Sequence, residues 1–399
     1  MKILHIIASA DRRSGGPIEG VWNISTANAN HYIVEIVSAD GPDEAFLADS
    51  PIKIFALGPP VGPNSRFNLL NHYMYTPRLI PWLRRHAHEY DAVIVNGLWN
   101  FASFAASRVL PGSGVPYFVF PHGMLDPWFK QTYPLKHFFK QFFWWFVEGR
   151  LMRQSSSVIF TAEDERILAR GMFHGHSNYP EFVAGYGTKS PPPAQPEQTA
   201  TFKRLLPDLA DHRYLLYLSR IHRKKGCDLL IEAFAAAAQI DPELHLVVAG
   251  PDQEGLGAGL RARASELGIG NRLHWPGMLT GDAKWGAFRG AEAFVLPSHQ
   301  ENFGIVLAEA MACGIPVLTT HKVNIWREIE VSGGGFIETD DQAGITALLQ
   351  RWLALDPEFR LEMGRKARDG FETYFDISEA AHKIAKLIDV KIAEANART

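Results

Sequence analysis

Cysteine is scarce. Cys227 and Cys313 are the only two in 399 residues, so no disulfide framework is implied and a reducing, cytoplasmic setting fits. Long apolar runs are missing as well, since none approaches the roughly 20 residues that span a bilayer. Met1 to Ala10 is apolar with one lysine, but Asp11, Arg12 and Arg13 follow it where a leader peptide would need a small-residue cleavage site. That run therefore reads as a first strand. There is no excess of positive charge: 40 Lys and Arg stand against 43 Asp and Glu, for a formal charge of -3. A general nucleic-acid binder concentrates positive charge to displace counterions, so no nucleic-acid partner is expected. The segment after the first strand lacks the Gly-x-Gly-x-x-Gly dinucleotide signature. No Asp-x-Asp metal motif sits at a strand end, because Asp340-Asp341 falls in a late polar loop, and neither a metal nor a cofactor is expected.

The length exceeds one ordinary core, and two domains of roughly 180 residues each are expected. A composition 46% hydrophobic with 34 glycines and 25 prolines is that of a globular chain. Met1 to Ser9 has the continuous apolar character of a strand buried on both faces, and Ser14-Gly15-Gly16-Pro17 opens a helical segment to about Asn30. Further strands read at Tyr32 to Ser38, Ile52 to Leu57, Ala92 to Asn96, Tyr117 to Phe120 and Ser157 to Thr161. Between Glu181 and Gln198 a strand runs into Gly185-Tyr186-Gly187 and then a Pro-rich segment, the strongest boundary signal in the chain. Beyond it, strands at Tyr214 to Leu218, Leu244 to Ala249, Arg272 to Trp275, Ala293 to Leu296 and Val317 to Thr319 alternate with helices. Those helices read at about Cys227 to Ile240, Leu256 to Leu267, Asp282 to Gly290 and Ile305 to Cys313. The expected fold class is α/β, two doubly wound Rossmann-like domains facing across a cleft, with domains over 1–187 and 188–375 and a terminal amphipathic helix within 376–399.

Chemistry concentrates in Pro297 to Thr320. A strand ends in a loop with Glu301, Asn302, Phe303 and Gly304, and an apolar helix begins at Ile305. Free amides at a helix N-terminus, with a glycine allowing close approach, suit phosphate. Glu301 and Glu309 flank that site with seven residues between them. Carboxylates only accept hydrogen bonds, so beside a phosphate their natural partners are the hydroxyl pairs of a sugar and a ribose. The spacing alone fits equally a strand-loop-helix unit in which Glu309 merely favours a helix start. After the strand Tyr214 to Leu218 come Arg220, Arg223, Lys224 and Lys225, four cations within six residues, at the edge expected to face the same site. The run is also compatible with a solvated charged surface. His122, after the buried strand Tyr117 to Phe120 and before Gly123, lies where ligands of doubly wound sheets bind.

Taken whole, Glu301-x7-Glu309, with Phe303-Gly304 after the first glutamate and Ala310-Met311-Ala312-x-Gly314-x-Pro316-Val317 after the second, resembles family 4 (glycosyl transferases group 1) of the retaining nucleotide-sugar glycosyltransferases of GT-B fold. The resemblance is strong from Tyr214 to Thr320 and weaker in the first half. It implies that Arg220 and Lys225-Gly226, keeping the Arg-x4-Lys-Gly spacing, hold the diphosphate of the donor. Glu301 would fix sugar hydroxyls, Glu309 ribose hydroxyls, and the amides around Asn302, Phe303, Gly304 and Ile305 the phosphates. Gly277 and Met278, in Pro276-Gly277-Met278-Leu279, match a loop contacting the base through main-chain groups. Gly15 and Gly16 match a loop beside the donor phosphates, and His122 a histidine near the transferred sugar. His122, Arg220, Lys225 and Glu301 are thus the expected catalytic set. The terminal helix would cross back to the first domain, while Gly185-Tyr186-Gly187 departs from the family's Asn-Gly-Val-Asp-like turn.

The implied activity is transfer of a hexose from a nucleoside-diphosphate sugar, UDP-glucose or a close relative, to a sugar or lipid-linked glycan in polysaccharide or glycolipid assembly. Transfer would retain configuration and need no metal. A nucleotide-sugar epimerase and a non-catalytic sugar-nucleotide-binding subunit are the alternatives.

Pro127 to Arg153 is the compositional outlier, with ten aromatic residues interleaved with Lys130, Lys136, Lys140, Arg150 and Arg153. Such a helix could lie at the cytoplasmic face of an anionic membrane or grip a lipid-borne acceptor. Because Phe142 to Phe146 covers every helical face, burial of the aromatics as core is the favoured expectation.

Overall fold

The computed structural model describes residues 1–60, 73–209 and 211–397. The chain forms two compact units, one of Met1–Tyr186 with Ile377–Thr399 and one of Gly187–Asp376.

The first unit is built on a seven-stranded parallel sheet of order β3-β2-β1-β4-β5-β6-β7. The strands are β1 (Lys2–Ile7), β2 (Ile33–Ser38), β3 (Lys53–Ala56), β4 (Ala92–Asn96), β5 (Tyr117–Phe120), β6 (Ser157–Phe160) and β7 (Glu181–Val183). Every residue of β4, β5 and β6 is buried, the condition that unbroken runs such as AVIVN and YFVF encode, because helices cover both faces of a parallel sheet. Leu4, Ile6, Val93, Val95 and Val119 are fully buried in one such layer, each stabilising the fold by about 1.5 to 3 kcal/mol. Helix α1 (Gly16–Ala27) follows β1, and α2 (Pro134–Phe143) lies between β5 and β6.

The second unit has a six-stranded parallel sheet of order β10-β9-β8-β11-β12-β13. Its strands are β8 (Arg213–Leu218), β9 (Leu244–Ala249), β10 (Leu273–Gly277), β11 (Ala293–Leu296), β12 (Val317–Thr320) and β13 (Gly335–Glu338). Helices α3 (Cys227–Ile240), α4 (Gly281–Gly290) and α5 (Ile305–Ala312) carry the residues of interest. The α/β class with two doubly wound sheets is what the structure shows.

The terminal helix α6 (Ile377–Asn396) belongs to the first unit. It lies on the turn after α1, where Asn28 Nδ2 donates to the Ala381 carbonyl at 3.0 Å and the Tyr32 hydroxyl to the Ala385 carbonyl at 2.9 Å.

One expectation fails. The aromatics between Trp128 and Arg153 are not core: only Trp144, with Val147, Leu151 and Met152, is buried, whereas Phe138, Phe139, Phe142, Phe143, Trp145 and Phe146 are exposed. A π-helical turn at Trp144–Glu148 follows α2 and changes which side chains face inward, so the buried residues begin only there. Among the described residues no helix is long and apolar enough to cross a membrane.

Candidate active site

In the second sheet β8 and β11 are neighbours, and the connections leaving them turn to opposite sides. This is the switch point at which doubly wound sheets open a crevice beyond the strand ends. Both motif loops leave from it. After β8, Gly226 starts α3 at φ 65°, and a Cβ there would stand 2.1 Å from the Pro297 carbonyl oxygen, so only glycine lets the two loops touch. The His299 amide donates to the Lys224 carbonyl at 2.9 Å, a second tie between them.

That contact aims the buried Lys225 across the crevice, where its ammonium makes an ion pair with Glu301. Burial is the largest influence on Lys225 and lowers its pKa, to about 7, with like charges on Lys224 and Arg220 adding to it. Only Cys227, the smallest influence, acts in the other direction. Arg220 is exposed, with Nη1 3.3 Å from Gln253 Oε1.

The loop after β11 is held by its backbone. The Glu301 amide donates to the Lys322 carbonyl at 2.9 Å, and the Glu301 carbonyl accepts from the Asn324 amide at 3.1 Å. Phe303 is buried with its ring edge-on to Phe375, 5.8 Å between centroids. Asn302 Oδ1 accepts from Asn324 Nδ2 at 3.3 Å. Gly304, at φ 74°, turns the chain into α5, and Ile305 is its first residue. Glu309, one turn further, is buried, and its Oε1 accepts from Lys284 Nζ on α4 at 2.6 Å. The structure therefore gives each motif glutamate a lysine. Gly277 ends the edge strand β10 and Met278 follows it, with β9 between them and β8; Gly277 has φ 75° and Met278 is largely exposed.

The first sheet has its own switch point between β1 and β4. Gly15, at φ 114°, caps α1, and a Cβ on Gly15 or Gly16 would meet nothing within 4 Å, so the backbone there is open to close approach. His122 follows β5 at φ 52°, a left-handed conformation that costs a non-glycine residue about 1 to 2 kcal/mol. Glu165 fixes this turn, accepting from the Gly123 amide at 2.5 Å and the Thr161 amide at 2.6 Å. The His122 ring stacks on Phe120 at 4.3 Å, and its Nε2 lies 3.3 Å from Asn96 Oδ1. Asn96 Nδ2 lies 3.2 Å from His5 Nδ1. The departing residue Tyr186 donates its hydroxyl to the Gly16 carbonyl at 2.9 Å and sets its ring edge-on to His122, tying the two motif positions together.

Burial lowers His122 to about 3, with His5 repelling it further, and lowers His5 to about 4 against a smaller opposing hydrogen bond from Asn96. Both rings are neutral near pH 7. Between its unfolded value of 6.5 and about 4, His5 binds a proton only in the unfolded chain, so the stability it contributes is complete above pH 6.5 and is lost as pH falls. Urea unfolding should show that His5→Gln loses about 3 kcal/mol less than wild type between pH 7 and pH 4. Superimposable pH profiles would show that His5 is not held neutral.

Lys284, Asn96, Glu165 and Tyr186 escaped sequence reasoning as site residues. Asn96 alone had a signal, a polar residue ending the apolar run of β4. Among the described residues no group of three or more His, Cys, Asp or Glu is placed to hold a metal. A cavity of about 900 Å³ opens at the other end of the second sheet, but Arg213, Arg360, Arg365 and Arg368 around it are each paired with a carboxylate. We therefore place the site at the β8 and β11 loops.

A family model described as Glycosyl transferases group 1 matches residues 201–370, and one described as Glycosyl transferase 4-like domain matches residues 15–178. The chain belongs to the group 1 glycosyl transferases. The D-inositol 3-phosphate glycosyltransferase of Thermomonospora curvata is 37% identical over 153 residues, which is 35% of this group 1 glycosyl transferase and 35% of that protein. The match thus spans about a third of the curated relative's length. Among solved structures, Anabaena HepE in complex with UDP and glucose superposes with a TM-score of 0.76 at 20% identity, over 98% of this chain and 100% of that one. Sucrose-phosphate synthase from Thermosynechococcus elongatus gives 0.75 at 21% identity, over 98% and 99%. At those identities the likeness shows the GT-B fold.

Proposed function

We propose that this chain transfers a hexose from a nucleoside-diphosphate sugar, UDP-glucose or a close relative, to a sugar or lipid-linked glycan, with retention of anomeric configuration and without a divalent metal. The observation that carries the reading is the buried Lys225 ammonium meeting Glu301 at the β8 and β11 switch point, beside the N-terminus of α5. Breaking the bond from sugar to diphosphate leaves an oxocarbenium-like centre and a leaving group of growing negative charge. Lys225, Arg220 and the first amides of α5 are preorganised donors for that charge. Glu301 accepts from sugar hydroxyls as well as from Lys225, and Glu309 from those of the ribose. The acceptor hydroxyl attacks the anomeric carbon on the face the diphosphate leaves, and its proton passes to the departing phosphate oxygen. His122, neutral and held by Asn96, offers a hydrogen bond to a sugar hydroxyl rather than a charge. HepE, described with UDP and glucose, shares the fold, and a relative named as a glycosyltransferase supports the reaction class.

Incubation with a panel of nucleoside-diphosphate sugars tests this reading. Slow release of nucleoside diphosphate from one donor is expected, and neither binding nor release with any donor would refute it. The metal arm is separate: activity should survive EDTA, since Lys225 and Arg220 stand where a cation would otherwise be needed. Loss in EDTA with recovery in magnesium or manganese would refute metal independence.

A further inference from the structure

We propose that α2 and the cavity beneath it form a docking site for an anionic lipid bilayer, with the exposed aromatics seated in the interface and Lys136 and Lys140 receiving a lipid phosphate. This surface stands on its own geometry and does not depend on the transferase reading. Leu135, Phe138, Phe139, Phe142 and Phe146 follow a helical repeat along one stripe and are 77%, 60%, 65%, 46% and 66% exposed. A contiguous apolar stripe facing water marks an interaction surface. The segment is fastened from below, because Trp144 and Leu151 are buried in the core of the first unit.

Charge selects the partner. Trp128 to Arg153 holds five Lys and Arg and a single carboxylate, Glu148, which is buried. Among the described residues none of these five cations forms an ion pair. Lys136 lies over the Tyr133 ring at 4.8 Å, and Lys140 over the Trp99 ring at 4.6 Å, cations resting on aromatic faces, with the buried Glu148 attracting Lys140 without an ion pair. Both line a cavity of about 320 Å³ with Asp126, His137, Met172 and Phe173, where the Asp126 Oδ1 already accepts from the Trp128 amide at 2.8 Å and the two lysines outnumber the one carboxylate. Burial lowers Lys140 to about 8, which leaves it mostly charged near neutrality, and a bound phosphate would hold it so. Apolar side chains flanked by unpaired cations match an anionic lipid surface, whose potential attracts lysine near the membrane.

Sedimentation with vesicles of phosphatidylcholine, alone or with phosphatidylglycerol, tests the proposal. Wild type should bind the phosphatidylglycerol vesicles and release them as salt rises. Lys136→Glu with Lys140→Glu should weaken partition by roughly thirtyfold or more. Phe138→Ser with Phe139→Ser and Phe142→Ser should abolish binding with the charge unchanged. Melting temperature and donor affinity should not move in either variant, which separates lost docking from lost folding. Lys140→Gln should cost more than Lys130→Gln, whose side chain lies outside the cavity, and equal costs would overturn the headgroup site. Absence of binding by wild type, equal binding to neutral vesicles, or indifference to the variants would overturn docking. A dimer that the Phe variants dissociate, with no vesicle binding, would instead make this stripe an interface between copies.

Discussion

Lys225→Ala should lower turnover by roughly 100- to 1,000-fold, about 2.7 to 4 kcal/mol, while changing donor affinity far less. The diphosphate gains charge as the glycosidic bond breaks, so a preorganised ammonium interacts more strongly with the transition state than with the bound donor. Burial of Lys225 sharpens this, because charges interact more strongly away from water. Arg220 occupies the same loop and faces the same leaving charge, so the double variant should lose less than the product of the single losses. Removing Lys225 also leaves Glu301 without its lysine, and melting curves must accompany the kinetics. A raised Michaelis constant with turnover intact would make Lys225 a ground-state anchor and remove the leaving group from this loop.

The two glutamates should separate by ligand. Glu309→Ala should weaken free nucleoside diphosphate by about 1.5 to 3 kcal/mol, the worth of hydrogen bonds to a charged group, while Glu301→Ala should spare the nucleotide and weaken the intact donor or its transfer. Their environments support different jobs. Glu309 is buried on the helix and pinned by Lys284 of α4, whereas Glu301 sits on the loop and pairs with Lys225. Because Glu309→Ala strands Lys284, Glu309→Gln is the companion variant and should lose less. Calorimetry with nucleotide and donor decides, and equal loss of nucleotide affinity in both variants would contradict the division.

Much of the architecture could be read from residue order because it rests on local signals. β4, β5, β9, β11 and α3 begin and end where continuous apolar runs meet glycine, proline or polar breaks. β13 escaped because it is a half-buried edge strand with only Phe336 and Ile337 as apolar residues, behind Gly333 and Gly334. The aromatic segment was misjudged for a related reason. Its pattern places aromatics on every face around Phe142 to Phe146, and only the structure shows that the inward side is taken by Trp144, Val147 and Leu151 while the phenylalanine stripe faces out. In the site, Glu301 and Glu309 were visible as a motif, but their lysines lie 76 and 25 residues away and reach them through the sheet order. The Asn96 link between His5 and His122 likewise exists only once β1, β4 and β5 are neighbours.

Amide hydrogen exchange of the protein with and without UDP-glucose addresses the central claim most directly, because it reports where the donor sits. Slowed exchange should appear in Ser219 to Gly226 and in Phe303 to Leu307, the two loops that Gly226 and Pro297 bring together. Protection confined to the cavity beside Arg213 and Arg360, with those loops unchanged, would place the donor elsewhere and contradict the account.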